Sequence, residues 1–243
     1  TEGRLAGSAS AIRGNVSVSH GAAVEFNQAT DAILGTAVSG AGSFTKSGSG
    51  ALTLAGANTY SGGTTIAVGR LIGTADRIRG AVSVSSGATV EYNQVANGVV
   101  GDTISGSGAL VKSGAGTLRL NANNSYSGGT TVTAGKLVGF FYSIRGDVAV
   151  SSGATVEFDD PIDAMKASTI SGAGSLAKSG GGTLTLTGAN TYTGGTTVSQ
   201  GRLAGAVSSI RGDVAVSSGA TVDYKQSSDA TLSNMVSGAG ALA

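Results

Sequence analysis

The feature that most constrains this chain is a repeat with a constant period. Val38–Leu71 reads VSGAGSFTKSGSGALTLAGANTYSGGTTIAVGRL. It returns as Ile104–Leu137 and as Ile170–Leu203, and a fourth copy opens at Val236. The offsets are 104 − 38 = 66, 170 − 104 = 66 and 236 − 170 = 66. Ile-Arg-Gly keeps the same step, at 12–14, 78–80, 144–146 and 210–212. Self-similarity at a fixed period marks a repeat architecture and is read before any local propensity.

A shorter step of 22 lies inside the longer one. From Val16 it meets Val38, Tyr60, Val82, Ile104, Tyr126, Val148, Ile170, Tyr192, Val214 and Val236, all β-branched or aromatic. From Ala22 it meets Phe44, Ile66, Ala88, Leu110 and onward to Leu242, all apolar. Such columns predict that each turn of a coil lies on the one before. Around them apolar residues alternate with small or polar ones, as in Val82/Val84, Leu52/Leu54 and Val156/Phe158. That is the period of a strand with one buried face. Gly, Ser, Asn and Asp punctuate the strands and supply corners. The predicted fold is all-β: a right-handed parallel β-helix (β-solenoid) of about 22 residues per turn, with three turns in each 66-residue repeat. Residues 1–243 are expected to form a single solenoid segment, incomplete at both ends.

Composition narrows the function classes. The chain has 243 residues, a formal net charge of +1 and 12% charged residues, so neither a nucleic-acid footprint nor an acidic tail is visible. Glycine is 42 and proline 1, beside ample Val, Leu, Ile and Ala, which argues against a disordered tract. No cysteine is present, which removes disulfides and thiolate metal sites. No apolar run is long enough to span a membrane, so membrane insertion is not expected of this segment.

Candidate chemistry is sparse. His20, the one histidine, stands where the other copies carry Ser86, Ser152 and Ser218, and reads as a corner residue. Glu25, Glu91, Glu157 and Asp223 lie between apolar residues and are expected to point outward. Lys46, Lys112 and Lys178 follow the first three acids by 21 residues, so each acid is expected to meet a lysine on the next layer. Paired carboxylates for glycoside chemistry would crowd into one groove, whereas these acids recur singly. The Gly-Gly pairs lack the aspartate of a calcium-binding nonapeptide, and Thr45-Lys46-Ser47 lacks the phosphate-loop signature. No catalytic, cofactor-binding or metal-binding residue is expected, and the chain is read as a non-enzyme.

Two segments per repeat vary between copies, and these are the expected surface loops. Phe140-Phe141-Tyr142 is an aromatic cluster in one of them. Phe140 falls on a weaker column with Leu118, Ile162 and Leu184 and is expected to pack inward; Phe141 and Tyr142 form the candidate interaction loop. Asn58, Asn124 and Asn190 are expected to hold corners by side-chain hydrogen bonds.

The phrase SGxGxLxKSGxGTLxLxGANTYSGGTTVxxGxL, borne by Ser39–Leu71, Ser105–Leu137 and Ser171–Leu203, resembles the passenger-associated transport repeat of bacterial autotransporter proteins. The resemblance implies a β-helical passenger at the bacterial cell surface or outside it. It implies a structural or adhesive role, with a host or bacterial surface ligand, or other copies of the same chain, as partner. Alternatives are a self-assembling filament module and, less favoured, a polysaccharide-acting enzyme.

Overall fold

The computed structural model describes residues 3–243. Every regular element among them is a β-strand, and every ladder is parallel. The chain divides into two compact units, Thr1–Gly129 and Thr130–Ala243.

In the first unit one ladder runs Arg4–Gly7, Ala23–Asn27, Ser43–Ser47, Thr64–Ile66, Val82–Val84 and Ile104–Ser105. A second runs Ala32–Leu34, Ala51–Leu54, Arg70–Gly73, Thr89–Asn93 and Ala109–Ser113. A third face carries Val16–Ser17 on Val38–Ser39 and, further on, Gly98–Val100 on Thr117–Leu120. The second unit repeats the scheme. One ladder takes Lys136–Gly139, Thr155–Asp159, Ser175–Ser179, Thr196–Val198, Val214–Val216 and Val236–Gly238. Another takes Ala164–Lys166, Thr183–Leu186, Arg202–Gly205, Thr221–Tyr224 and Ala241–Leu242. A shorter one takes Thr130–Val132, Val148–Val150 and Ile170–Ser171.

These residues form strands because alternation gives each a dry side. Leu52/Leu54 and Leu184/Leu186 face inward and are buried, while the threonines between them are half-exposed. Each buried Leu, Val, Ile or Phe contributes about 1.5–3 kcal/mol over an exposed one. Phe26 stacks on Phe44, and Phe44 on Tyr60, each pair with ring centroids 5.4 Å apart.

The expected coil is present, and its residue count per turn varies. Val16 lies on Val38, Val82 on Ile104, Val148 on Ile170 and Val214 on Val236, a step of 22. Elsewhere Leu5 lies on Val24 (19), Val24 on Phe44 (20), Phe44 on Thr64 (20) and Thr64 on Val82 (18). Three turns from Val24 therefore end at Val82, and the remaining residues of the repeat carry the chain onto the next face. Val24 and its equivalent Val90 accordingly lie in different ladders. Val156 and Val222 do the same in the second unit.

Two further differences concern the variable segments. Residues 27–37, 93–103 and 159–169, expected as loops, each contain a short strand, at Ala32–Leu34, Gly98–Val100 and Ala164–Lys166. The proposed inward column through Phe140 does not form, because Ile162 is 64% exposed and Phe140 only half-buried.

Corners are tight. Gly40, Gly106, Gly172 and Gly238 have φ between 97° and 109°. A Cβ on Gly172 would lie 2.3 Å from the Val150 carbonyl oxygen. Only glycine accepts both the left-handed backbone and that approach.

Candidate interaction site

The inner positions hold more than hydrocarbon. Lys46, Lys112 and Lys178 are fully buried, each facing inward beside Phe44, Leu110 and Leu176. Lys46 Nζ donates to the carbonyls of Ser47 and Gly48, both at 2.7 Å, and of Val68 at 3.2 Å. Lys112 donates likewise to Ser113 and Gly114, and Lys178 to Ser179, Gly180 and Gln200. Each lysine sends its stem through the core and its ammonium into a glycine corner, where it reaches the Gly48, Gly114 or Gly180 carbonyl and adds a second donor to the Ser47 and Ser113 carbonyls, which also accept the Gln28 and Gln94 N–H.

The expected pairing of acids with these lysines is thus corrected. Glu25, Glu91, Glu157 and Asp223 pair with Arg4, Arg70, Lys136 and Arg202 on the preceding layer. The first three also accept from Ser47, Ser113 and Ser179 on the next layer. They leave the strand outward but are nearly covered, Glu25 being 8% exposed. The basic partners stay 43–62% exposed, so these pairs are worth at most about 1 kcal/mol each.

Asn58 accepts the Val38 N–H at 2.9 Å and donates to the Arg77 carbonyl at 3.0 Å. Asn190 accepts from Ile170 N–H and donates to the Ser209 carbonyl, both at 2.8 Å. Asn124 accepts from Ile104 N–H at 2.8 Å. Each carboxamide sits where no strand continues the third face and supplies the missing peptide. His20 lies exposed at its corner.

The aromatic loop lies in the second unit. Phe140 and Tyr142 stack with centroids 5.1 Å apart, and Phe141 meets Tyr142 edge-on at 5.3 Å. All three rings are half-buried. The Phe141 N–H donates to Asp160 Oδ1 at 3.0 Å. Asp160 is buried, its Oδ2 has no hydrogen-bond partner, and burial pushes its carboxyl upward. Below the loop is a hollow of about 290 Å³, lined by Phe141, Ile144, Arg145, Met165, Lys166 and Ser168 among others. Lys166 is 5% exposed, and its Nζ donates to the carbonyls of Ile144 (3.1 Å) and Gly146 (3.0 Å) and lies 5.6 Å from the Phe158 ring centre. Burial, then the Arg145 charge, pushes its ammonium down to about 8.

In the sequence Phe141 and Tyr142 stand out as aromatic residues, whereas Asp160, Met165 and Lys166, which the structure brings near them, do not. The signal was available by comparing copies at the 66-residue offset. Lys166 stands where the others have Leu34, Val100 and Leu232, and Asp160 where they have Gln28, Gln94 and Gln226. Gln28 and Gln94 accept the N–H of Ala9 and Ala75, as Asp160 accepts that of Phe141. A larger hollow of about 590 Å³ adjoins Tyr192 and Arg211. The Tyr192 hydroxyl there is already bonded to Thr196 Oγ1 and the Arg211 N–H.

The lysines make stability depend on pH. Burial also pushes Lys112 down to about 8 and lowers Lys46 and Lys178. Between about pH 8 and the unfolded value of 10.5, the unfolded chain then binds more protons than the folded one. Stability rises with pH across that window, and the burial penalty is fully present below it. The urea midpoint is expected to be higher at about pH 9.5, inside that window, than at about pH 7.5, below it, with a smaller rise in Lys166→Leu. A flat or falling midpoint would contradict this.

The family described as Passenger-associated-transport-repeat matches the chain at residues 44–72, 110–138 and 176–204. The aromatic loop and the segment carrying Lys166 lie between the second and third matches. The chain is also similar to the adhesin BmaC autotransporter of Brucella suis biovar 1 (strain 1330), with 36% identity over 153 residues. That alignment covers 49% of this chain and 4% of the relative, so the chain spans a small fraction of that protein's length. No solved structure matches it.

Proposed function

The chain is built on the passenger-associated-transport-repeat of autotransporter passengers, and from that premise we propose that it is an adhesive segment displayed on a bacterial surface. Parallel ladders give it stiffness, because each turn supplies the hydrogen-bond partners and the apolar floor of the next. Contact with a surface ligand is made by side chains that the coil does not need. The observation that carries the reading is the match of three evenly spaced repeats, supported by a relative named as an adhesin. The reading is one of binding rather than turnover. Many displayed copies turn weak contacts into firm attachment through effective concentration.

A second reading, self-association between chains and hence cell–cell aggregation, has its own support. Ile33, Val99 and Met165 recur at one position of the repeat and are 72%, 55% and 63% exposed. The test is to display the chain on a non-adherent bacterium and record attachment to host cells and settling in suspension. Attachment without settling is the expected result. Settling alone would favour self-association, and neither response would overturn the adhesive reading in favour of a passive shaft.

A further inference from the structure

Four copies of one repeat act as controls for one another. What the coil requires recurs in every copy; what one copy adds alone calls for another explanation. The departures of the third copy are not scattered. Phe140-Phe141-Tyr142 replaces Ser-Ala-Ser at 8–10, Thr-Ala-Asp at 74–76 and Ala-Val-Ser at 206–208. Lys166 and Asp160 replace apolar residues and glutamines. These positions are far apart in sequence and adjacent in space: Asp160 holds the Phe141 amide, and Phe141 and Lys166 line the same hollow.

Lys166 is the least expected of them. An inward position that is Leu34, Val100 and Leu232 elsewhere needs no charge for packing. A buried ammonium has three donors, and two are used, on the Ile144 and Gly146 carbonyls. The Arg145 charge adds to the positive field. Asp147 opposes it, and its Oδ1 accepts the Thr169 N–H at 2.9 Å.

We propose that this hollow binds the carboxylate of an acidic monosaccharide, with Lys166 as its charged partner and Phe141 as the surface for the sugar ring. The proposal rests on the adhesive reading and gives its ligand a chemical class. One remaining ammonium donor beside Asp147 suits a monoanion better than a doubly charged phosphate. The half-exposed Phe141 ring and the exposed Met165 side chain offer an apolar face. The Ile144 carbonyl, which accepts only from Lys166 Nζ, keeps a lone pair for a sugar hydroxyl, whereas that of Gly146 accepts from both Lys166 Nζ and Ser168 Oγ. A volume of about 290 Å³ suits a single ring.

The test is calorimetric titration of the whole chain with glucuronate, glucose, acetate and N-acetylglutamate. Glucuronate is expected to bind, and glucose, which lacks the charge, at least about tenfold more weakly. Lys166→Leu restores the residue of two sister copies and so keeps the fold. It is expected to lose about tenfold in glucuronate affinity, and Phe141→Ala, the residue at 75, to weaken it as well. No glucuronate binding, equal binding of glucose, or no effect of Lys166→Leu would overturn the proposal. Acetate equal to glucuronate would leave an adventitious ion only, and tighter N-acetylglutamate would replace the sugar by a peptide acid. If glucuronate fails while displayed chains still attach, only the ligand class falls. If glucuronate binds while displayed chains do not attach, the adhesive reading falls instead.

Discussion

Gly172→Ala is expected to destabilise the second unit by about 3–5 kcal/mol, while Gly153→Ala costs roughly 1–2 kcal/mol. Both glycines have positive φ, 99° and 75°, so both substitutions carry the strain of a Cβ in the left-handed region. They differ in surroundings. Nothing lies within 4 Å of a Cβ on Gly153, whereas on Gly172 it would press against the Val150 carbonyl, whose oxygen accepts the Gly174 N–H at 2.8 Å. Relief requires the two layers to separate at that corner. Denaturant midpoints of the two variants, compared with the parent chain, give the answer. Equal losses would mean that the layers at this corner are not in contact.

The second large effect is expected at Asn190. Replacement by alanine leaves the buried Ile170 N–H and the Ser209 carbonyl without partners. Each orphaned group costs about 1–3 kcal/mol, so the total is roughly 2–6 kcal/mol. Asn190→Asp is no rescue, because it sets a carboxylate oxygen against the Ser209 carbonyl. Asn123, exposed and one position before Asn124, is the control, and Asn123→Ala is expected to stay within about 0.5 kcal/mol of the parent. A neutral Asn190→Ala would show that water replaces the carboxamide at this corner.

The coil was legible in the sequence because a parallel ladder places similar side chains on one another, which makes columns. The count per turn was less legible, for a physical reason. In a strand, residues two apart face the same side, so a column drawn at 22 stays apolar even where the true partner is at 20. Phe44 is such a case. It lies under Thr64, and Ile66, two residues on and also inward, kept the wrong column intact. The short strands at 32–34, 98–100 and 164–166 are hidden for another reason: each is three residues long and its outward side chain, Ile33, Val99 or Met165, is apolar, so no apolar–polar alternation marks it.

Alternation, and not charge, decides the side on which the lysines lie. In Phe44-Thr45-Lys46 and Leu176-Ala177-Lys178 the period puts the lysine on the side of the buried residue. A long apolar stem allows that, provided that carbonyls wait at its tip. The corner glycines provide them. The acids then turn to the basic residue one layer back, a pairing that the sequence also carried in Arg4/Glu25, Arg70/Glu91, Lys136/Glu157 and Arg202/Asp223. At the candidate site, Phe141 and Tyr142 stood out by being aromatic, whereas Lys166 emerged once the coil had brought its strand beside theirs.

The central claim is that adhesion is written where one copy departs from its sisters, and a bead experiment tests it most directly. Beads coated with the chain are compared with beads carrying F140T/F141A/Y142D, which installs the residues of 74–76 in the third copy. The account predicts that the parent beads are retained on host-cell monolayers and that the variant beads fall to the level of uncoated ones, with an unchanged denaturant midpoint. Equal retention of both would contradict it, and would move binding to surfaces that all the copies share.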